Sequence, residues 1–275
     1  MRGSAGRTTN ARLFWGILLV LVGVLLTLNS LGILDVNIWG LVWPLFLIFL
    51  GVWILWGFFF ARPSWEAEEV SIPLDGASRA RVHVKHGAGR LQVDGSAGLG
   101  ELVDGTFGGG LDHRVSREGD TLDARMRLPV GTFPNFAFPW AWGPAQTLDW
   151  TFGLSTEIPL SLEIETGAGE AWLDLSDLSV TDLRLQTGAS ATDLTLPVSA
   201  GYTRVKISAG AASVKVRVPS GVAARIRVSG ALAGITVDRG RFPREGGVYQ
   251  SPDYDTAPDK VDVEIDTGVG SIEVL

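Results

Sequence analysis

The stretch LEIETGAGEAWLDL, Leu162 to Leu175, is the first of four copies of one pattern that fill residues 162–238. The other three are LRLQTGASATDLTL (Leu183 to Leu196), VKISAGAASVKVRV (Val205 to Val218) and IRVSGALAGITV (Ile226 to Val237). Each copy has two runs of alternating apolar residues, separated by a turn of Gly, Ala and Ser. Because repeated units of this kind stack on one another, the repeat decides the architecture.

The turns of these four copies are separated by 21, 22 and 21 residues. Two further copies stand apart from them, RVHVKHGAGRLQV (Arg81 to Val93) and VEIDTGVGSIEVL (Val263 to Leu275). Coils that stack at the usual strand spacing of about 4.8 Å leave little room for side chains at a sharp bend, so the turn requires Gly or Ala. The predicted turn residues of the six copies are Gly87, Gly167, Gly188, Gly210, Ala231 and Gly268.

Alternation with period two also predicts which side chains face the interior. One coil cannot bury its own apolar face, whereas a stack of coils can, so we expect an all-β domain of the β-solenoid type over residues 75–275, with coils of about 21 residues. A β-sandwich with evenly spaced strands is the alternative. The recurrence of both apolar runs in one register favours the solenoid. The predicted inward residues include Leu183, Leu185, Leu194, Leu196, Val205, Ile207, Val214, Val216, Val218, Ile226, Val228, Ile235, Val237, Val263, Ile265, Ile272 and Val274.

The N-terminal part of the chain has a different composition. Residues 13–34 and 38–61 contain no charged side chain, and each stretch is long enough to cross a bilayer as a helix. We therefore expect a two-helix transmembrane hairpin over residues 13–61, preceded by a tail (1–12) and followed by a juxtamembrane linker (62–74). A signal peptide is the competing interpretation of the first stretch, but no small-residue cleavage site precedes the second.

Flanking charges predict the orientation of this hairpin. Arg2, Arg7 and Arg12 precede it, Arg62 follows it, and the short connection between the two spans carries only Asp35. The positive-inside rule then places the tail and the C-terminal domain in the cytoplasm of a bacterium, with the hairpin crossing the inner membrane twice. The lipid bilayer is therefore the first partner that the sequence predicts.

Both regions resemble known bacterial families. The sequence WGILLVLVGVLLTLNSLGIL, followed by WGLVWPLFLIFLGVWIL with its Trp43, Pro44 and Gly51, resembles the membrane region of LiaI/LiaF-like proteins. The GAG turns and the closing VEIDTGVGSIEVL resemble the toastrack or adhesin-like β-solenoid domains that follow such hairpins. This family includes regulators of the cell-envelope stress response. The resemblance implies a non-catalytic sensing protein that binds a membrane partner such as a sensor kinase.

Charge and motif content argue against several kinds of ligand and site. A net charge of −7 argues against a nucleic-acid partner. The absence of Cys excludes disulfides and thiol chemistry. The Gly-rich runs at 95–101 and 105–110 precede no helical pattern and no Gly-Lys-Ser/Thr step, so they are predicted to be turns rather than phosphate loops. His83, His86 and His113 lack ligand spacing and are expected to be solvent-facing strand residues. No cofactor is predicted.

Residues 130–152 combine seven aromatic side chains with three prolines. Prolines at this density exclude a helix and a central strand, which leaves a loop or an edge excursion. If its rings are exposed, this aromatic loop forms an apolar patch of the size that marks a binding site. The alternative is a cap over one end of the solenoid. The candidate interaction surface consists of Phe133, Phe136, Phe138, Trp140 and Trp142.

Residues 239–260 form a polar insert, which we expect to be a solvent loop whose Arg239, Arg241 and Arg244 could reach anionic lipid. Two other functions stay open. Carboxylates near the predicted turns could serve a carbohydrate-active β-helix enzyme, although a solvated edge is the simpler interpretation. Exposed strand edges could instead support an adhesive protein that self-associates into a homo-oligomer. The carboxylates are Asp174, Asp177, Asp182 and Asp193.

Overall fold

The computed structural model describes residues 67–129 and 148–275, together with two helical residues, Trp43 and Leu47. The chain divides into two compact units, residues 1–61 and 62–275. The tail and the predicted transmembrane hairpin lie outside the described residues apart from Trp43 and Leu47. Within the described ranges, no helix is long and apolar enough to cross a membrane.

The described part of the second unit is built from strands. Their bounds are β1 (Glu68–Pro73), β2 (Arg79–Asp94), β3 (Glu101–Phe107), β4 (Asp112–Glu118), β5 (Thr121–Arg127), β6 (Trp150–Leu154), β7 (Leu160–Asp174), β8 (Val180–Thr195), β9 (Tyr202–Arg217), β10 (Ala223–Val237), β11 (Arg244–Glu245), β12 (Val248–Gln250) and β13 (Lys260–Val274). All belong to a single sheet.

Six long strands form the centre of this sheet, in the order β2-β7-β8-β9-β13-β10. Neighbouring strands are parallel and in register, so that Leu162 lies opposite Leu183 and Leu183 lies opposite Val205. Each strand corresponds to one copy of the repeat and runs through its Gly-containing bend. We call the part before the bend the first arm and the part after it the second arm. The prediction of an all-β repeat domain is confirmed.

The order of the coils differs from the order in the sequence. The copies at Gly210 and Ala231 are consecutive in the sequence, but β13 lies between their strands β9 and β10. Val263 of β13 pairs with Val205 of β9 on one side and with Ile226 of β10 on the other. The polar insert is long enough for the chain to return and place β13 between β9 and β10. The alternating residues of β13 pair in register with both neighbours. The two repeat copies that stand apart in the sequence form β2 and β13, and both belong to the same run of long strands.

The interior of the stack consists of the predicted alternating residues. With two exceptions, the inward residues named above are buried. Val228 is partly buried and packs against the core, and Ile235 is 40% exposed. Both belong to β10, the last long strand of the stack. Ile235 lies in its second arm, which no described strand covers on the far side.

On the side of β2 that faces away from β7, its two arms pair with different strands. The first arm pairs with β5, which pairs with β4, and the second arm pairs with β6, followed by β3 and β1. The predicted linker at 62–74 was therefore wrong in its extent, because β1 occupies Glu68–Pro73 and hydrogen bonds to β3. Alternation in this short strand places Ile72 in the core.

The predicted aromatic loop was also too long at its C-terminal end. Trp150 and Phe152 belong to β6, which lies between β3 and β2 as a central strand. The last proline of the segment, Pro144, precedes this strand by several residues and does not interfere with its ladder. The Trp150 ring meets Phe107 edge-on at 5.2 Å, and its indole N–H donates to the Gly108 carbonyl at 3.1 Å.

The polar insert is not a free solvent loop. Its Phe242, Tyr249 and Tyr254 are buried, and its strand β12 pairs with the first arm of β10. The guanidinium of Arg241 donates to the carbonyls of Val218 at 2.7 Å and Pro219 at 3.0 Å. The sequence signal for this packing lies in the three aromatic side chains. They give an otherwise polar stretch enough apolar area to cover the first arm of β10.

Candidate interaction surfaces

The five glycines at the bends explain why the strands can stack so closely there. A Cβ atom at Gly167 would lie 2.2 Å from the Gly87 carbonyl oxygen, and one at Gly188 would lie 2.5 Å from that of Gly167. Gly210 and Gly268 repeat this approach at 2.8 Å. Ala231 occupies the corresponding position of β10. A side chain is therefore excluded at this position of β7, β8, β9 and β13.

A shallow polar groove of about 740 Å³ runs along these bends and crosses β7, β8, β9, β13 and β10. Small or polar residues line it, because each strand contributes its bend. In β13 the hydroxyl of Thr267, which lines this groove, is buried and makes no hydrogen bond. The Gly270 bend beside it has a positive φ of 141°, which favours glycine.

The outer face of the first arms carries charges that pair across the strands. Asp182 lies 3.8 Å from Arg204, Lys206 lies 3.7 Å from Glu264, and Arg227 donates to Asp262 at 3.1 Å. These side chains are largely exposed, so each pair contributes at most about 1 kcal/mol. Most facing charges on this face have opposite signs, although Arg184 of β8 lies opposite Lys206 of β9.

His83 lies at the N-terminal end of this charged face. Its Nδ1 is 2.9 Å from Glu163 and its Nε2 is 3.9 Å from Asp123, and Asp123 also contacts Arg81 and Arg125. Asp123 thus lies among Arg81, Arg125 and His83, and Glu163 contacts His83. Among residues 67–129 and 148–275, no group of three or more His, Cys, Asp or Glu side chains is arranged to hold a metal ion.

The four carboxylates considered for catalysis serve separate local contacts. Asp174 accepts hydrogen bonds from the Ser176 amide at 3.2 Å and its hydroxyl at 2.7 Å. Asp182 pairs with Arg204, and both oxygens of Asp193 pair with Arg217. Asp177 lies in the turn between β7 and β8. Only Asp174 and Asp193 line one groove, which also contains Trp172.

Trp172 is the aromatic side chain that the sequence analysis missed. It lies on the outer face of the second arm of β7 and is 44% exposed, with the Arg90 guanidinium 5.0 Å from the centre of its ring. The signal was present in the alternation, because Ala171 and Leu173 on either side are inward residues. A single exposed aromatic ring is common on a protein surface, so Trp172 by itself does not mark a binding site.

His86 is buried, so the expectation that it faces solvent was wrong. It directly precedes the bend, where alternation turns this position inward, as it does Thr187 and Thr267. Its Nε2 lies 2.6 Å from the Leu148 carbonyl oxygen and must be the donor, and the ring lies 5.2 Å from the Trp150 ring. Burial lowers the pKa of His86, and the Leu148 hydrogen bond and the charge of Asp149 oppose this effect.

The candidate surface formed by Phe133, Phe136, Phe138, Trp140 and Trp142 lies outside the described residues. The structure shows where the segment that carries it joins the domain. The segment leaves after β5 and returns before β6, and Leu128 and Leu148 at these two points are buried. The Asp149 carboxylate accepts a hydrogen bond from the Arg90 amide at 3.0 Å. Both ends are therefore fixed beside the bend of β2.

A family model described as the N-terminal domain of toast_rack, DUF2154, matches residues 62–217, which comprise β1 to β9. The chain belongs to the toast-rack family. A second model, the LiaI-LiaF-like transmembrane region, matches residues 13–55. The protein thus combines a toast-rack domain with a membrane region of the LiaI-LiaF type. The resemblance noted in the sequence is confirmed for both parts.

A solved structure shares the fold of the toast-rack domain. A candidate cell adhesion protein from Clostridium sporogenes ATCC 15579 is 20% identical, with a TM-score of 0.67, over 76% of this chain and 98% of its own. A candidate adhesin from Bacteroides fragilis NCTC 9343 is 8% identical over 78% of this chain and 100% of its own, with a TM-score of 0.28. A search of curated proteins finds no match.

Proposed function

We propose that this protein is a membrane-anchored, non-catalytic interaction module that regulates the response of a bacterium to cell-envelope stress. The observation that carries the proposal is the presence of a LiaI-LiaF-like transmembrane region and a toast-rack domain on one chain.

The proposed arrangement is a two-span hairpin in the inner membrane with the toast-rack domain in the cytoplasm. The arginines on both flanks of the hairpin support this orientation. A regulator on this side of the membrane can reach the cytoplasmic part of a sensor kinase or of another membrane protein, and would change the state of that partner when the envelope is damaged.

The aromatic loop is the proposed contact with this partner. Its base is fixed by the buried Leu128 and Leu148 and by the hydrogen bond between His86 and Leu148. A segment that is held at both ends and rich in aromatic residues loses less conformational entropy on binding than a free one. Aromatic residues also contribute most to the binding energy of protein interfaces.

Substitution of the loop aromatics tests this role. Full-length protein with Phe136, Phe138, Trp140 and Trp142 changed to Ser is expressed in the native host in place of the wild type. We expect loss of partner crosslinking in the membrane and at least a tenfold change in a reporter of envelope stress. The matched control is Trp172→Ser, which removes an exposed aromatic side chain elsewhere. An unchanged reporter, or an equal effect of the control, would refute the assignment of the loop.

The second candidate function is adhesion by a domain that lies outside the cell. The uncharged edge of β10 described below and the candidate adhesion role of the C. sporogenes protein favour it. The two functions differ in topology. A reporter fused after Leu275 that is protected from protease in spheroplasts supports the regulator, and an accessible reporter supports adhesion.

A further inference from the structure

The described sheet has four open edges, and three of them carry features that prevent the addition of another strand. β4 presents the charged side chains of Arg114, Arg117 and Glu118 at its exposed edge. β1 begins with two glutamates and ends with Pro73. β11 is only two residues long. Charges, proline and shortness are the usual protections of an edge strand.

The fourth edge is the second arm of β10, and it has none of these protections. β12 covers only Arg225 and Ile226, which leaves residues 228–237, VSGALAGITV, without a strand on that side among the described residues. This stretch contains neither a charge nor a proline. The second arms of the neighbouring long strands do carry charges, such as Lys215 on β9 and Glu273 on β13.

Exposed apolar side chains accompany this open edge. Ile235 is 40% exposed, although its partner Ile272 in β13 is almost fully buried, as is Val214, which pairs with Ile272 from β9. Leu232 is 76% exposed, and its partner Val269 is 52% exposed. Ile235 therefore occupies a position that is buried in the neighbouring copies of the repeat. Among the described residues, no further coil covers it in β10.

We propose that the second arm of β10 binds the same arm of a second copy of this chain, antiparallel and with Gly234 on the two-fold axis. The sequence of the arm complements itself in this register. Ala233 lies opposite Ile235 of the second copy on the inner face, so that a small side chain meets a large one. Leu232 lies opposite Thr236 on the outer face, and the two Gly234 residues meet without side chains.

Charge complementarity also selects a second copy as the occupant. A two-fold axis brings every residue close to its own equivalent, so any charge near the axis would meet a like charge. Of the six long strands, β10 is the one whose second arm carries no charged side chain. The nearest charges, Arg227 and Asp238, lie at its two ends and have opposite signs. Antiparallel pairing therefore brings Arg227 of one copy to the same end as Asp238 of the other.

The chain has no cysteine, which permits a direct test in full-length protein in bacterial membranes. Antiparallel partners have Cα atoms about 4.5–5.5 Å apart, within the range of a disulfide. We expect Gly234→Cys to form a crosslinked dimer on oxidation. Leu232→Cys and Thr236→Cys on two differently tagged, co-expressed copies should crosslink to each other. Leu232→Cys alone should not, because its two copies would lie about 13 Å apart.

Thr151→Cys, which is exposed on β6 at the other end of the stack, is the control for random collision. Equal crosslinking of Thr151→Cys and Gly234→Cys would overturn the proposal. A Gly234→Cys protein that stays uncrosslinked, or that crosslinks to a protein of different mass, would also overturn it. None of these readouts depends on a stress reporter, so the test is independent of the proposed function.

A second variant separates dimerisation from folding. A Cβ atom at Gly234 would meet nothing closer than 4.0 Å, so Gly234→Lys fits the single copy and puts two like charges on the axis. We expect this variant to shift the purified full-length protein from dimer to monomer in mass measurements, with an unchanged thermal unfolding temperature. Gly98→Lys, at another open glycine, should remain dimeric. A dimeric Gly234→Lys protein would contradict the proposal.

Discussion

At the scale of single residues, His86 links the stability of the domain to pH. Its side chain is 3% exposed, donates to the Leu148 carbonyl and lies beside Trp150. Burial lowers its pKa below the ordinary value of about 6.5. In the unfolded chain the imidazole therefore binds a proton at a higher pH than in the folded chain, and protonation favours unfolding.

We expect the free energy of unfolding of fragment 62–275 to decrease as the pH falls through about 6.5 and to continue decreasing until the folded His86 is itself protonated. A neutral variant, His86→Gln, should lose the part of this pH dependence that comes from the imidazole. Denaturant titrations at a series of pH values from 7.5 to 5 measure it. Parallel curves for the wild type and His86→Gln would contradict the assignment, and His113→Gln, on the exposed β4, is the matched control.

The bend glycines give a second prediction at this scale. Gly169 has a φ of 132°, and a Cβ atom there would lie 2.0 Å from the Gly89 carbonyl oxygen. Because both the backbone conformation and the space oppose a side chain, we expect Gly169→Ala to lower the free energy of unfolding by more than about 2 kcal/mol. Gly98→Ala, whose nearest neighbour is a flexible Glu101 side chain, should change it by less than about 1 kcal/mol.

Alternation predicted the inward residues of the repeat well, because a period of two depends only on local backbone geometry. It failed for Ile235, because exposure there depends on the absence of a neighbouring coil and not on the strand itself. The hydrogen bond of His86 could not be predicted for a related reason. Its partner Leu148 is far away in the sequence, and no local pattern brings the two together.

At the scale of elements, two tryptophans on the strands that flank β2 have opposite environments. Trp150 of β6 is fully buried against Phe107 and His86, whereas Trp172 of β7 faces outward. We expect Trp150→Ala to lower the free energy of unfolding by about 3–5 kcal/mol, since it leaves a large cavity. Trp172→Ala should cost less than about 1 kcal/mol. Denaturant unfolding of the two variants measures the difference, and equal losses would contradict the assigned faces.

The elements that the sequence analysis misplaced are the short strands at the two ends of the stack. β1, β6 and β12 have no counterpart in the repeat, and each is fixed by pairing with a distant part of the chain. Periodicity identifies a strand that repeats, but a single strand of three to six residues produces too little pattern to be recognised.

At the scale of the whole molecule, β13 joins the two parts of the stack, because it pairs with β9 on one side and β10 on the other. A chain that ends after Asp259 lacks β13. We expect its removal to destabilise the domain far more than the removal of one edge strand would. The separation of β10, β11 and β12 from the remaining coils should appear as rapid proteolysis of residues 218–259. Ile272→Ala, a single core change in β13, should leave this region protected. Equal protease resistance of the shortened and full chains would contradict the joining role.

The position of β13 also bears on how the domain is made. The coils from β2 to β9 are synthesised in an order that lets each one add to the coil before it, as fast as the ribosome supplies them. β10 has no such neighbour, since the strand that separates it from β9 is translated later. During that interval β9 and β10 are two unfinished edges of the same nascent chain, and a chaperone or a neighbouring nascent chain that recognises open strands would meet them then.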